Sequence, residues 1–502
     1  MEKLVIVDLE KNYHNTLKNC SYICVNRGIL NFQNSKQIPY DLNHNKKNLK
    51  KNKRDLIYFF LDLKKKFEKK TNDINSYELE IFNLRNDKYD YLDKILIFYE
   101  LKKKKLHKKY KIEIFTDKDN LNEFYRSVFG NKININYISY EKKIYKDNSS
   151  LLLKYLKFII RAFYFIILTK IFKKNRKFIT NSEIYLSFYP YFFKNENIDL
   201  YSDKNKTYLN FSLTDETHLN LKPFEYIKHV KKLSNIDSII SIENFIKFSD
   251  LFYAIKKFIY CNFKLKNLFK DSYKFKEIDC TNFLVSHLKS SFLNRSKLFI
   301  YDNSFNLILK KYDPKKLHYF LFEYNFGFYL KNKFDVIEKF TGYQHGIYND
   351  NLMWLDLINY KRDKCLPQLV ICNRKKSINA YKKNFKKIIF KKKKFNIEKN
   401  IKINKTSSKI LVFLGQHDID DSIYFFINNK KFKKQNIFFK VHPNNKKNIN
   451  IKSKKLHFVR SINKNFNYRI YLAPTTTLIY DFYEKNFNFK ILNFSHRVNL
   501  WY

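Results

Sequence analysis

At 502 residues, 44% hydrophobic and 18% aromatic, the chain is too long for one ordinary core and too apolar for a disordered one, so two or three domains are expected. Its formal charge of +52 does not mark a nucleic-acid binder: only 12 of the 99 basic residues are Arg, the lysines run along the whole chain, and Lys, Asn, Ile, Phe and Tyr, the residues of A/T-rich codons, rise together. So positive a surface favours anionic lipid headgroups and anionic substrates, whereas a specific polyanion site needs an aligned set of phosphate contacts.

The six cysteines (Cys20, Cys24, Cys261, Cys280, Cys365 and Cys372) have neither CxxC spacing nor the density of a disulfide framework, which points to a reducing compartment. The opening run MEKLVIVDLEKNYHN is too short and too soon acidic for a secretion signal. No window reaches the ~20 uncharged apolar residues of a membrane span. The expected location is cytoplasmic, with peripheral attachment to the inner membrane.

Within the first 145 residues, Ile112–Phe115, Leu121–Phe129 and Ile133–Tyr137 read as strand, helix and strand, and the Lys-rich stretches 45–54 and 102–109 as solvated loops or helix faces. The most apolar stretch, Leu151–Phe172, is interrupted by Lys154, Lys157 and Arg161, which share one face at helical spacing; Lys170 lies off that face, and Lys173 and Lys174 follow. Three readings stay open for this basic amphipathic segment, 151–174: a buried or linking helix, a helix lying on an anionic leaflet, and a true span. Next come a strand at Ile184–Tyr189 and helices at Leu219–Val230, Cys280–Leu293 and Ser304–Tyr312. Leu317–Phe322 reads as a buried strand ending at Glu323, Val336–Tyr343 leads into Gln344-His345-Gly346, and Gln368–Cys372 is a strand before a helix over Lys375–Phe385.

Residues 386–408, rich in Lys and Asn with little periodicity, read as a crossover between an N-terminal α/β domain of 1–385, with a subdivision near 145–180, and a C-terminal domain of 409–502. There the pattern is regular: strands at Ile410–Leu414, Asn436–Val441, Leu456–Val459, Ile470–Ala473 and Phe489–Asn493, and helices at Asp421–Asn428 and Leu478–Tyr483. Short apolar strands alternating with amphipathic helices predict an α/β fold with largely parallel sheets, whose ligands gather at the C-terminal ends of the strands. His417, His442 and Pro474 all stand at such ends.

The chemistry concentrates there. Asn436–Val441 stops at Lys440-Val441-His442-Pro443, and Pro474-Thr475-Thr476-Thr477 opens a helix, where proline fits the first turn and threonine caps free N–H groups. A helix start with a histidine facing it from the next strand end suits a phosphate. There is no GxGxxG, no GK[ST], no DxD pair with supporting context and no Ser-His-Asp or Cys-His constellation; Asp420-Asp421 reads as a helix start.

In its HP motif and Thr-rich motif the chain resembles the bacterial sialyltransferase-like and polysaccharide-synthesis glycosyltransferases. The resemblance implies two facing Rossmann-like domains (the GT-B type), a CMP-activated sugar and no metal or other cofactor. It places the donor phosphate on His442 with Pro443 and the nucleotide phosphate or sugar carboxylate on Thr475, Thr476 and Thr477; Lys440 and His417, at neighbouring strand ends, are expected on the same donor side. Gly342–Gly346, Ile410–His417, Lys440–Pro443 and Pro474–Phe482 also follow the motif order of CDP-glycerol glycerophosphotransferases, including Asp481-Phe482, but with threonines for serines and no Thr-Pro after Gln-His-Gly. Both resemblances cover roughly residues 317–502.

The acceptor-side base is expected to be His345, whose imidazole titrates near neutral pH, with Glu323 as the alternative and Asp215-Glu216 as a third place to look. The function expected is glycosyl transfer in surface polysaccharide, capsule or lipopolysaccharide synthesis: a sialic-acid-like sugar moves from a CMP-linked donor to a carbohydrate or lipid-linked acceptor at the anionic inner-membrane surface. Two alternatives stand beside it, a CDP-polyol phosphotransferase of the same architecture and a non-catalytic basic protein of envelope assembly.

Overall fold

Leu4, Val5, Ile6 and Val7 are all buried, so the first strand is covered on both faces, as an unbroken apolar run in a parallel sheet requires. The computed structural model of the protein describes residues 1–9, 13–25, 29–33, 36–37, 46–71, 74–82, 90–118, 121–138, 150–172, 183–188, 207–213, 223–236, 239–320, 325–337, 339–344, 366–372, 378, 381–382, 385, 387–390, 401–415, 419–441, 455–459, 461–463, 465–473, 476, 478–484 and 486–492. Over these residues the architecture is mixed α/β with three main parallel sheets. Contacts divide the chain into two compact units, one of Met1–Lys50, Asp90–Lys142 and Lys394–Tyr502, the other of Lys51–Tyr89 and Lys143–Lys393.

The N-terminal part carries β1 (Glu2–Asp8), β2 (Tyr13–Lys18), β3 (Ser21–Cys24), β4 (Ile29–Gln33) and β5 (Lys36–Gln37). Helices α1 (Lys46–Lys70) and α2 (Asp90–Lys103) precede β6 (Tyr110–Thr116), α3 (Asn122–Phe129) and β7 (Asn134–Tyr137). The sheet runs β5-β3-β1-β6-β7, while β2 and β4 pair apart from it. The strand–helix–strand reading of 112–137 is β6, α3 and β7. Phe98 of α2 meets Phe124 of α3 edge-on at 5.2 Å, which fixes the two helices together. Gly130 ends α3 at φ +88, a conformation that costs a glycine little and any other residue more.

In the second unit, α4 (Leu151–Ile171) starts at Ser150, whose Oγ accepts from the Leu153 amide at 3.2 Å. Then follow β8 (Glu183–Phe188), β9 (Tyr208–Phe211), α5 (Pro223–Ser234), β10 (Ile239–Ser241), α6 (Phe248–Leu265), the hairpin of β11 (Lys274–Phe275) and β12 (Ile278–Asp279), α7 (Thr281–Ser296) and α8 (Asp302–Tyr312). β13 (Lys316–Phe320), α9 (Asn325–Lys333), β14 (Lys339–Tyr343), β15 (Leu369–Cys372) and β16 (Lys387–Phe390) complete it, in a seven-stranded sheet of order β10-β9-β8-β13-β14-β15-β16. Tyr155 of α4 stacks on Phe258 of α6 at 4.1 Å, and its hydroxyl donates to the Ser296 carbonyl at 3.1 Å.

The last sheet contains β17 (Lys402–Ile403), β18 (Lys409–Phe413), β19 (Asn436–Lys440), β20 (Leu456–Val459), β21 (Asn467–Leu472) and β22 (Lys490–Ile491), with α10 (Ile419–Asn428) and α11 (Leu478–Glu484). Its order is β17-β21-β18-β19-β20, and β22 also pairs with β21.

The span 1–385 holds two separate parallel sheets, and the compact units part at Lys142/Lys143, close to the subdivision expected near 145–180, with 51–89 counted in the second unit and 394–502 in the first. The expected crossover of 386–408 contains two short strands, because the Ile388-Ile389-Phe390 run pairs along β15 as β16 and Lys402–Ile403 pairs with β21 as β17. β16 is the edge strand of the seven-stranded sheet, and Lys387 and Ile389 lie on its more exposed face.

Candidate functional site

The geometry of the last sheet follows from two apolar sets on its central strand. Ile410 and Val412 join a core with Ile419, Ile423 and Phe426 of α10, while Leu411 and Phe413 join a core with Ile479 and Phe482 of α11. The helix after β18 therefore covers one face and the helix after β21 the other. Because β18 and β21 are neighbours in the sheet, the chain departs in opposite directions from adjacent strand ends. In open parallel sheets such a switch point leaves the crevice where ligands bind.

Three strand ends meet there in register. Phe413 pairs with Lys440 on one side and Leu472 on the other. The Leu414 amide donates to the Lys440 carbonyl at 3.1 Å, and the Ala473 amide to the Phe413 carbonyl at 2.9 Å. His442 follows Val441 directly, Pro474 follows Ala473, and His417 comes two residues after Gly415. The structure thus brings together the exits that lead into all three motifs. His417, His442, Pro443, Thr475 and Thr477 themselves lie outside the described residues.

Two of the residues expected to hold the donor are described. Lys440 is half-buried at the end of β19, and burial lowers the pKa of its ammonium. Thr476 is buried, with its amide donating to the Ala473 carbonyl at 3.1 Å and its Oγ1 accepting from the Leu478 amide at 3.5 Å. Its hydroxyl is thus turned onto the start of α11, where it serves the backbone.

Glu323 and His345, expected as the base, also lie outside the described residues, as do Asp215 and Glu216. Their strands are described: β13 and β14 are parallel neighbours with Phe320 paired to Tyr343, so Glu323 and His345 follow adjacent exits at one edge of the seven-stranded sheet. Tyr343, the first aromatic of the Tyr-Gln-His-Gly motif, has a structural task, its hydroxyl lying 3.2 Å from His318 Nδ1. The Gln344 amide donates to the Ile371 carbonyl at 3.0 Å and ties the motif to β15.

Two buried polar clusters at strand exits escape a reading of the sequence. At the ends of β9 and β10 the Glu243 carboxylate accepts from the Ser212 and Leu213 amides at 2.7 and 3.1 Å, from Tyr301 Oη at 2.7 Å and from Ser241 Oγ at 2.5 Å. Burial raises its pKa, and these hydrogen bonds only partly oppose the rise. With four donors on it, this carboxyl laces two loops together. At the ends of β1 and β6, Asp8 lies 2.7 Å from Lys94 Nζ and accepts from Tyr125 Oη at 2.6 Å, and Tyr125 Oη is 3.0 Å from Thr116 Oγ1. The one signal for it in the sequence is an acid closing the apolar run Leu4–Val7.

Among the described residues no group of three or more His, Cys, Asp or Glu side chains could hold a metal ion, and no helix is long and apolar enough to cross a membrane. Compared with known proteins, the chain matches no protein-family model, no curated protein and no solved structure.

Proposed function

We propose that the protein is a glycosyltransferase of GT-B type that builds a surface polysaccharide, capsule or lipopolysaccharide, taking an acidic, sialic-acid-like sugar from a CMP-linked donor. The observation that carries the reading is the switch point between β18 and β21, where the exits into His417, His442-Pro443 and the Pro474–Thr477 run converge on one sheet edge. In this reading His442, Thr475 and Thr477 hold the donor phosphate, the buried Thr476 braces the start of α11 beside them, and Lys440 adds positive charge. His345, before Glu323, is the base that takes the proton of the acceptor hydroxyl as the anomeric carbon–oxygen bond breaks and CMP leaves.

Calorimetric titration with CMP, CDP, UDP and GDP tests it. Cytidine nucleotides are expected to bind most tightly, and no binding by any of the four defeats the reading. A CDP-polyol phosphotransferase gives the same nucleotide preference but transfers a polyol-phosphoryl group, so labelled donors of each kind separate the two. The single phosphorus of a CMP-sugar stays on the CMP that leaves in glycosyl transfer, whereas the β-phosphorus of a CDP-polyol reaches the acceptor and its α-phosphorus leaves as CMP.

A further inference from the structure

The pair α4 and α6 presents a basic, aromatic face to solvent that the fold does not use. On α6, Phe252 is 73% and Phe263 75% exposed; with Lys256 and Ile259 between them at helical spacing they form one outward stripe. On α4, Ile160 is 70% exposed, and Leu152, Leu153, Phe163 and Ile171 are exposed as well. The two helices join this surface: the rings of Phe163 and Phe248, both exposed, lie 5.3 Å apart, and Lys170 Nζ stands 4.2 Å from the Phe248 ring centre. The opposite sides of both helices are core, through Tyr155, Ile159, Ala254 and Phe258.

Charge identifies the occupant. Lys157, Arg161, Lys170 and Lys256 are exposed among these apolar groups, and the only acid on either helix is Asp250. That acid is buried, accepting from the Lys247 amide and from Asn303 Nδ2 at 2.8 Å each. A protein partner of ordinary composition rarely matches bulky exposed rings with an uninterrupted negative surface; an anionic bilayer offers both an apolar interior and a negative plane. We infer that the α4–α6 face docks on an anionic lipid surface, with Phe252, Ile259 and Phe263 entering the acyl boundary and the cations lying at the headgroups. The insertion belongs chiefly to α6, which no feature of the sequence marks, and α4 serves as its half-buried neighbour. The inference does not rest on the reading of the donor site.

Flotation of the full chain with phosphatidylcholine vesicles, with and without phosphatidylglycerol, tests it. The protein is expected to float with the mixed vesicles, to leave them in about 1 M salt, where the Debye length falls to ~3 Å, and to ignore neutral ones. Phe252→Ser with Phe263→Ser should lower partition at least about tenfold without changing the melting temperature, because neither ring is in the core. In Phe252→Trp, brominated lipid should quench fluorescence beyond the quenching seen in wild type. Undiminished flotation of the double serine variant overturns the proposal, and so does an indole in the Phe252→Trp variant that brominated lipid does not quench. A dimer that the serine variant dissolves, with no flotation of the wild type, assigns the face to self-association and overturns it too.

Discussion

Arg295 and Glu78, 217 positions apart in the chain, form an ion pair shut away from water, the Arg295 Nε donating to Glu78 Oε2 with both side chains 1% exposed. Asn332 Nδ2 donates to the other Glu78 oxygen at 2.9 Å, and the Arg295 guanidinium lies 4.5 Å from the centre of the Tyr329 ring. Beside them Asp302 receives Lys257 and Lys333, each at 2.9 Å. Burial alone would raise the pKa of the Asp302 carboxyl, but Arg295, Lys333 and Lys257 outweigh it and hold the group below its ordinary value. This network ties the 51–89 segment to α7, α8 and α9.

Glu78→Leu should therefore cost about 3–5 kcal/mol, since it strands a guanidinium in the core. Adding Arg295→Met should recover most of that loss, because the isolated charge and not the missing attraction is what destabilises. Urea unfolding of the two variants measures both effects. A double variant no more stable than the single one would show that Asn332 and Tyr329 also depend on the pair.

Acid should weaken the second unit through His229. Burial pushes this imidazole down from 6.5 to about 3, with Lys232 adding to the shift. Below pH 6.5 the unfolded histidine takes up a proton while the folded one does not until about 3, so the unfolded state holds more protons across that window and stability falls with pH. The slope reaches about 1.4 kcal/mol per pH unit. His229→Gln should remove that part of the slope, which unfolding measured at about pH 7 and about pH 5.5 detects.

For the donor site, His442→Ala should weaken cytidine-nucleotide binding, while His457→Ala should not. His457 lies in β20, stacked on Phe438 at 4.9 Å, in a strand outside the β18–β21 switch point. Titration calorimetry on the two variants is the comparison, and equal losses would remove His442 from the site.

For the acceptor side, His345→Ala should lower turnover by ~10²–10⁴-fold and leave nucleotide affinity near wild type, the signature of a lost general base. Wild-type turnover in His345→Ala, with Glu323→Gln inactive, transfers the role to Glu323. Wild-type turnover in both directs attention to Asp215 and Glu216.

Much of the parallel architecture is legible in the chain because a strand covered on both faces leaves an unbroken apolar run. Lys409–Phe413 and Leu369–Cys372 can be read to within a residue of their observed ends for that reason. Lys387–Phe390 escapes such a reading because its apolar run is only three residues long and lysines surround it. The convergence of strand exits is legible because each motif directly follows a strand. The pairs Asp8–Lys94 and Glu78–Arg295 are not, since their partners meet only after the sheets and helices have assembled. The exposed rings of α6 are hidden for another reason: Phe252 and Phe263 alternate with buried Leu251, Ala254, Phe258 and Cys261 in a sequence apolar nearly all round.

The two compact units do not emerge from the ribosome together. Every residue of the second has been made once Lys393 is added, whereas the first still lacks Lys394–Tyr502. At ribosomal speeds of ~5–20 residues per second that last stretch takes roughly 5 to 20 s. The unit started last is thus free to fold first, and the strands β1–β7 must outlast that interval with part of their unit still unborn.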